Sequence, residues 1–141
     1  MPNASLSDAD LDRLRAVLLA GPRLRLAMLF GTAAGGCLRA DSDIDIAILP
    51  DEDDLTLHDE LALQVALAGA CGREVDLVRL DRASTLVRWE VARRGRPLYT
   101  SEPAGAARFC AQAASEWIDF APAFQRAGKT FLRRMAAERP R

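Results

Sequence analysis

LFGTAAGGCLRADSDIDIAIL, from Leu29 to Leu49, is the stretch on which the reading of this chain turns. It reads as the end of a strand, a glycine-rich turn, a short helical segment and a second strand that carries Asp43 and Asp45 one residue apart. Side chains in a strand alternate faces, so residues i and i+2 point the same way, with Cα atoms roughly 6.5–7 Å apart. Two carboxylates on one face at that distance can share a pair of hard cations. Mg²⁺ takes oxygen ligands, usually one or two from protein and the rest from water and phosphate. Two ions about 3.5–4 Å apart are a known means of in-line phosphoryl displacement. The preceding Gly31-Thr32 offers backbone N–H groups and a hydroxyl to a phosphate. Asp41-Ser42-Asp43 alone is ordinary turn chemistry, because Asp and Ser bond their own backbone. Asp45 is different: it lies inside Ile44-Asp45-Ile46-Ala47-Ile48-Leu49, where a carboxylate is costly unless it is paired or holds metal.

Outward from that stretch the chain alternates helix and strand. Ser7 is an N-cap with Asp10 three residues on, and Leu11, Leu14, Val17 and Leu18 follow at helical spacing up to Gly21-Pro22. Leu24 to Phe30 reads as the first strand. Ala33 to Arg39 reads as a short helix whose N-terminus points its dipole at any phosphate near Thr32. The second strand runs from Asp43 to Leu49, a helix from Leu55 to Ala70 closed by Gly72, and a third strand from Arg73 to Leu80. A helix follows from Asp81 to Arg94, with Asp81 or Ser84 near its start and Gly95 past its end. Arg96 to Thr100 reads as a short edge strand. From Ala104 to Glu138 the pattern is helical, with a break or kink expected at Pro122. This order predicts an α/β (α+β) fold, a small mixed sheet flanked by helices in two or three layers. The expected division is a core over residues 1–100 and a C-terminal helical extension over 101–141 of the same domain.

The pattern Gly-Ser, ten residues, Asp-x-Asp is the signature of the DNA polymerase beta nucleotidyltransferase superfamily. Here it stands as Gly31-Thr32, ten residues from Ala33 to Ser42, and Asp43-Ile44-Asp45. The chain resembles the minimal nucleotidyltransferase branch, whose members include antitoxins paired with HEPN ribonuclease toxins. The resemblance implies a sheet that displays the aspartates at one end of a cleft, two Mg²⁺ ions and ATP as substrate. It also implies a third acid on a later strand, for which Arg73-Glu74-Val75-Asp76-Leu77-Val78 supplies Asp76 in an apolar setting. As general base Asp76 accepts the proton of the attacking hydroxyl. Glu74 shares its face but lies at the strand's start. The site expected on this basis comprises Asp43, Asp45 and Asp76 for catalysis and metal, with Gly31, Thr32 and Arg39 for the nucleotide. Two departures stand out. Thr32 replaces the usual Ser and keeps the hydroxyl. Many relatives carry Arg four residues after the first Gly, where this chain has Gly35 followed by Gly36. Gly cannot bind phosphate bidentately as Arg does, and Arg39 is the substitute on offer. The paired glycines weaken the short helix by roughly 1 kcal/mol each relative to Ala.

A chain of 141 residues, half of them hydrophobic, has the size of one domain with a real core. A net charge of −1 implies no general attraction to nucleic acid. The basic Arg133–Arg141 stretch reads as a solvated helix end, where cations are favoured. Cys37, Cys71 and Cys110 are odd in number and lack CxxC spacing, which speaks against a disulfide framework or zinc site and fits a reducing cytoplasm. No signal peptide and no apolar run of about 20 residues are expected. His58, the lone histidine, sits in a polar helix start with no nucleophile nearby, and the glycine run lacks a Walker A ending. Trp89 and Trp117 fall on helical patterns suited to packing.

Three functions follow from the resemblance. The first is a Mg²⁺-dependent enzyme that moves AMP from ATP to a hydroxyl, the acceptor being a tyrosine of a cognate HEPN toxin. The second is an antitoxin of the same fold that acts by occlusion with little catalysis. The third is an aminoglycoside-type small-molecule transferase, which the shortness of the chain disfavours.

Overall fold

A computed structural model describes residues 6–31, 34, 42–51 and 55–138. The elements are α1 (Asp8–Ala20), β1 (Leu24–Phe30), β2 (Ile44–Pro50), α2 (Leu57–Cys71), β3 (Val75–Arg79), α3 (Thr85–Arg94), β4 (Arg96–Thr100) and α4 (Gly105–Ala137). The expected helix over Ala33 to Arg39 lies outside the described residues.

The strands form one four-stranded sheet in the order β3-β2-β1-β4. β1 runs antiparallel to both β2 and β4, and β2 runs parallel to β3. The sheet is therefore mixed, and β4 is an edge as its sequence predicts. Helices cover both faces, which resolves the layer count as three. Leu14, Leu18, Leu63 and Leu67 of α1 and α2 pack with Ile44, Ile46 and Ile48 on one face. Val91 of α3 and Phe109 and Ala113 of α4 pack with Leu26, Met28 and Ala47 on the other. A strand covered on both faces loses the apolar-polar alternation of a half-exposed one. That is why β1 and β2 read as near-continuous apolar runs, and why Asp45 stands out among them.

Local chemistry sets the helix limits. Ser7 and Asp10 form the capping box at the head of α1. Thr56 caps α2, so the helix starts later than Leu55, which instead is buried and gives its carbonyl to Arg79. Gly72 closes α2 in the left-handed conformation, φ 68°. Ser84 caps α3 through Val87 N–H, while Asp81 pairs with Arg79 instead. β3 is shorter than its sequence pattern, because Arg73 and Glu74 lie before it and Leu80 past it.

The expectation of a break at Pro122 is corrected: α4 runs unbroken through it. Proline removes one hydrogen bond, to the carbonyl of Ile118. That turn faces solvent, with Ile118 71% exposed, so water can take the freed carbonyl. No helix among the described residues is long and apolar enough to cross a membrane.

Candidate active site

The C-terminal end of β1 and the N-terminal ends of β2 and β3 meet at one end of the sheet, and the acids gather there. Antiparallel pairing sets Phe30 opposite Asp45, and parallel pairing sets Asp76 beside Asp45. Residues in register on neighbouring strands share a face at about 4.8 Å. Ile44 and Ile46 point to the α1/α2 face, so Asp45 and Asp76 point to the other, the face covered further along by α3 and α4. The Ile44 N–H donates to the Glu74 carbonyl at 2.9 Å and locks the two strand starts together.

Asp43 sits one residue before β2 rather than inside it, and is exposed. Asp76 is exposed on the edge strand, and Asp45 between them is partly buried. Burial lifts the Asp45 carboxyl above the usual carboxylate range, and repulsion from Asp76 and then from Asp43 lifts it further. Asp45 therefore feels both of the neighbouring carboxylates. Of the two candidate acids on this segment, Asp76 is the one in register beside Asp45.

Gly31 forms the lip of the site. Its φ is +67°, a left-handed conformation that glycine adopts without steric cost. A Cβ built on it would lie 2.5 Å from Oδ2 of Asp45, inside any real carbon–oxygen contact. Glycine here leaves the carboxylate its room. Thr32 and Arg39, the other nucleotide-binding candidates, lie outside the described residues, as do Gly35 and Gly36.

None of the three aspartates makes an ion pair among the described residues. No three His, Cys, Asp or Glu side chains among those residues stand close enough to cage an ion unaided. Such an open set of oxygens, repelling and unpaired, suits a hard cation that completes its shell with water and phosphate. Asp43, Asp45 and Asp76 are the carboxylates that would be available to such a cation. His58 is exposed at the first turn of α2, with no part in the cluster.

The sequence assigned no role to Arg79. It is buried, donates at 2.9 Å to the Leu55 carbonyl and at 2.7 Å to Asp81, and stands 3.9 Å from Glu60. Its place in an apolar strand just before an acidic residue was the available signal. It holds the far end of β3, the strand that carries Asp76.

The family described as Polymerase beta, Nucleotidyltransferase matches residues 13–104, and the chain belongs to that family. Among named relatives, the chain is 40% identical over 82 residues to "Protein adenylyltransferase MntA" of Shewanella oneidensis, covering 57% of this chain. The match spans 58% of that relative's length. A crystal structure of a toxin-antitoxin with AMP-PNP is similar at TM-score 0.77 and 28% identity, over 86% of this chain and 98% of that one. A chain in the structure of the tri-AMPylated Shewanella oneidensis HEPN toxin in complex with MNT antitoxin is similar at TM-score 0.72 and 27% identity, over 87% of this chain and 96% of that one.

Proposed function

We propose that this protein is a Mg²⁺-dependent adenylyltransferase that moves AMP from ATP to a tyrosine hydroxyl of a cognate HEPN toxin. The observation that carries the reading is the register of β2 and β3, which sets Asp76 beside Asp45, two residues from Asp43 and under the Gly31 lip. Three carboxylates gathered at a strand end beside a glycine turn suit a triphosphate and its metal. The likeness to an AMP-PNP-bound toxin-antitoxin and to a chain in the complex of an AMPylated toxin with its antitoxin supports the choice of nucleotide and acceptor.

In this reading Asp43, Asp45 and Asp76 hold the Mg²⁺, which when bound neutralises the triphosphate. Gly31 lets the backbone approach the phosphates, and Thr32 and Arg39 add a hydroxyl and a guanidinium to them. Asp76 takes the proton from the acceptor hydroxyl. The hydroxyl oxygen attacks the α-phosphorus, its bond to the bridging oxygen breaks, and pyrophosphate leaves. Asp76 is exposed on the edge strand, which suits a base that must meet a bulky acceptor.

The test is mass spectrometry of a candidate cognate HEPN-domain toxin after incubation with catalytic amounts of this chain, ATP and Mg²⁺. Mass gained in steps of one AMP, lost with Asp43→Asn or Asp76→Asn, is the expected result. Unmodified toxin with the wild-type chain overturns it.

A further inference from the structure

α4 outruns everything it packs on. Cys110 bonds the Ala92 carbonyl and Glu116 pairs with Arg88, so α4 lies antiparallel on α3. The last clear contact is aromatic: Trp117 stacks on Trp89 with centroids 6.2 Å apart, and Phe120 and Phe124 extend the cluster. Beyond Phe124 every residue of 125–138 is exposed, a projection of about 21 Å at 1.5 Å per residue.

That projection is not a polar tail. Phe124, Phe131 and Met135 fall along one stripe at helical spacing, flanked by Leu132, with Phe131 61%, Leu132 66% and Met135 53% exposed. Ala127 and Gly128 leave a gap in the stripe between the two phenylalanines. Arg126, Lys129, Arg133 and Arg134 supply the polar side, and no carboxylate lies between Asp119 and Glu138. A helix of this length with a proline and a glycine is marginal in water without tertiary contacts. It therefore calls for a partner.

We infer that this projecting end of α4 is the surface that docks the toxin, on a helical face that is apolar along its middle and bordered by carboxylates. The inference rests on the functional reading above and assigns the substrate's docking surface to a helix that carries none of the three aspartates. The charge excludes a second copy of this chain, since pairing two tails would set eight cations side by side. The gap at Ala127 and Gly128 favours a protein helix over lipid: a knob from a facing helix fills it, whereas lipid has none to offer.

The variants Phe131→Glu with Met135→Glu, and Arg133→Glu with Arg134→Glu, test this in the full chain against the candidate cognate HEPN-domain toxin. Affinity is read by calorimetry, with ATP binding and Tm of the isolated chain measured alongside. Both variants should keep Tm and ATP binding. The first should lose roughly thirtyfold or more in affinity, the size of a lost interface anchor. The second should bind weakly and with a flatter salt dependence. Unchanged affinity in both overturns the inference and leaves the enzyme reading intact. So does a wild-type dimer that the first variant disperses, or flotation with phosphatidylserine vesicles that it abolishes, if toxin affinity stays the same. No complex and no AMP transfer with the wild-type chain overturns the functional reading itself.

Discussion

Asp45 is the residue whose environment most opposes its charge. Its carboxyl is raised by burial and by two like-charged neighbours, so the folded state holds the Asp45 proton more tightly than the unfolded chain does. The penalty for ionised Asp45 is full at neutral pH. It fades as pH falls through the raised folded value and is gone below the unfolded value, where both states hold the proton. Asp45→Asn should accordingly raise Tm by about 1–2 °C at pH 7 with chelator present, a small gain because the site is partly solvated. That gap should close near about pH 4. Mg²⁺ with ATP should stabilise the wild type and leave the variant unmoved, and AMP transfer should vanish. Calorimetry across pH decides it; a variant less stable than wild type at neutral pH contradicts the electrostatic account. Gly31→Ala makes the companion case. Strain at positive φ costs about 1 kcal/mol, and the new Cβ must push the Asp45 carboxylate aside. Transfer should drop by orders of magnitude while most of the stability survives, as paired rate assays and urea melts would read.

Among the elements, β3 is the strand whose position matters most, because it brings Asp76 to the site. Its far end is anchored by Arg79, which joins β3 to the segment before α2 through the Leu55 carbonyl and to Asp81 at the exit. Burial pushes the Asp81 carboxyl up, but the hydrogen bonds and charge of Arg79 outweigh it and hold it below its ordinary value. The stabilisation is thus present at neutral pH and lost as pH falls through that lowered value. Asp81→Ala leaves a buried guanidinium without its main partner and should cost roughly 2–4 kcal/mol in urea denaturation. Gly95, between α3 and β4, is held by sterics: a Cβ there meets the Val91 carbonyl and lies 3.0 Å from Cε of Met28. Gly95→Ala should lower Tm by several degrees, since backbone blocks the way.

At the scale of the molecule the question is whether the acid cluster and the projecting end of α4 act together. If neutralisation is catalytic, substoichiometric wild-type chain with ATP and Mg²⁺ should rescue growth or RNA integrity, and Asp43→Asn should fail even at equal stoichiometry. Protection by that variant without ATP would make occlusion the mechanism. The local chemistry behind these tests was legible in the residues alone. Ser7 carries its cap within three residues, Gly72 its left-handed turn, and Asp43-Ile44-Asp45 its spacing, because each depends on neighbours close along the chain, whereas the Thr56 cap, hidden behind an apolar Leu55 that packs in the core, did not show. So the kind of elements and the two adjacent aspartates followed from sequence. Strand order did not. That β3 lies parallel beside β2, bringing Asp76 next to Asp45 across thirty residues of chain, depends on how α1, α2, α3 and α4 share the two faces of the sheet. Periodicity along a strand names its faces and not its neighbours. The same holds for Arg79, whose partners converge from α2, the segment before it and the exit of β3, and for α4, whose proline looked like a break until exposure showed where the lost bond could be met by water. Sequence determined what each segment is. Only packing decided which segments stand together, since that is settled by burial summed over the whole molecule.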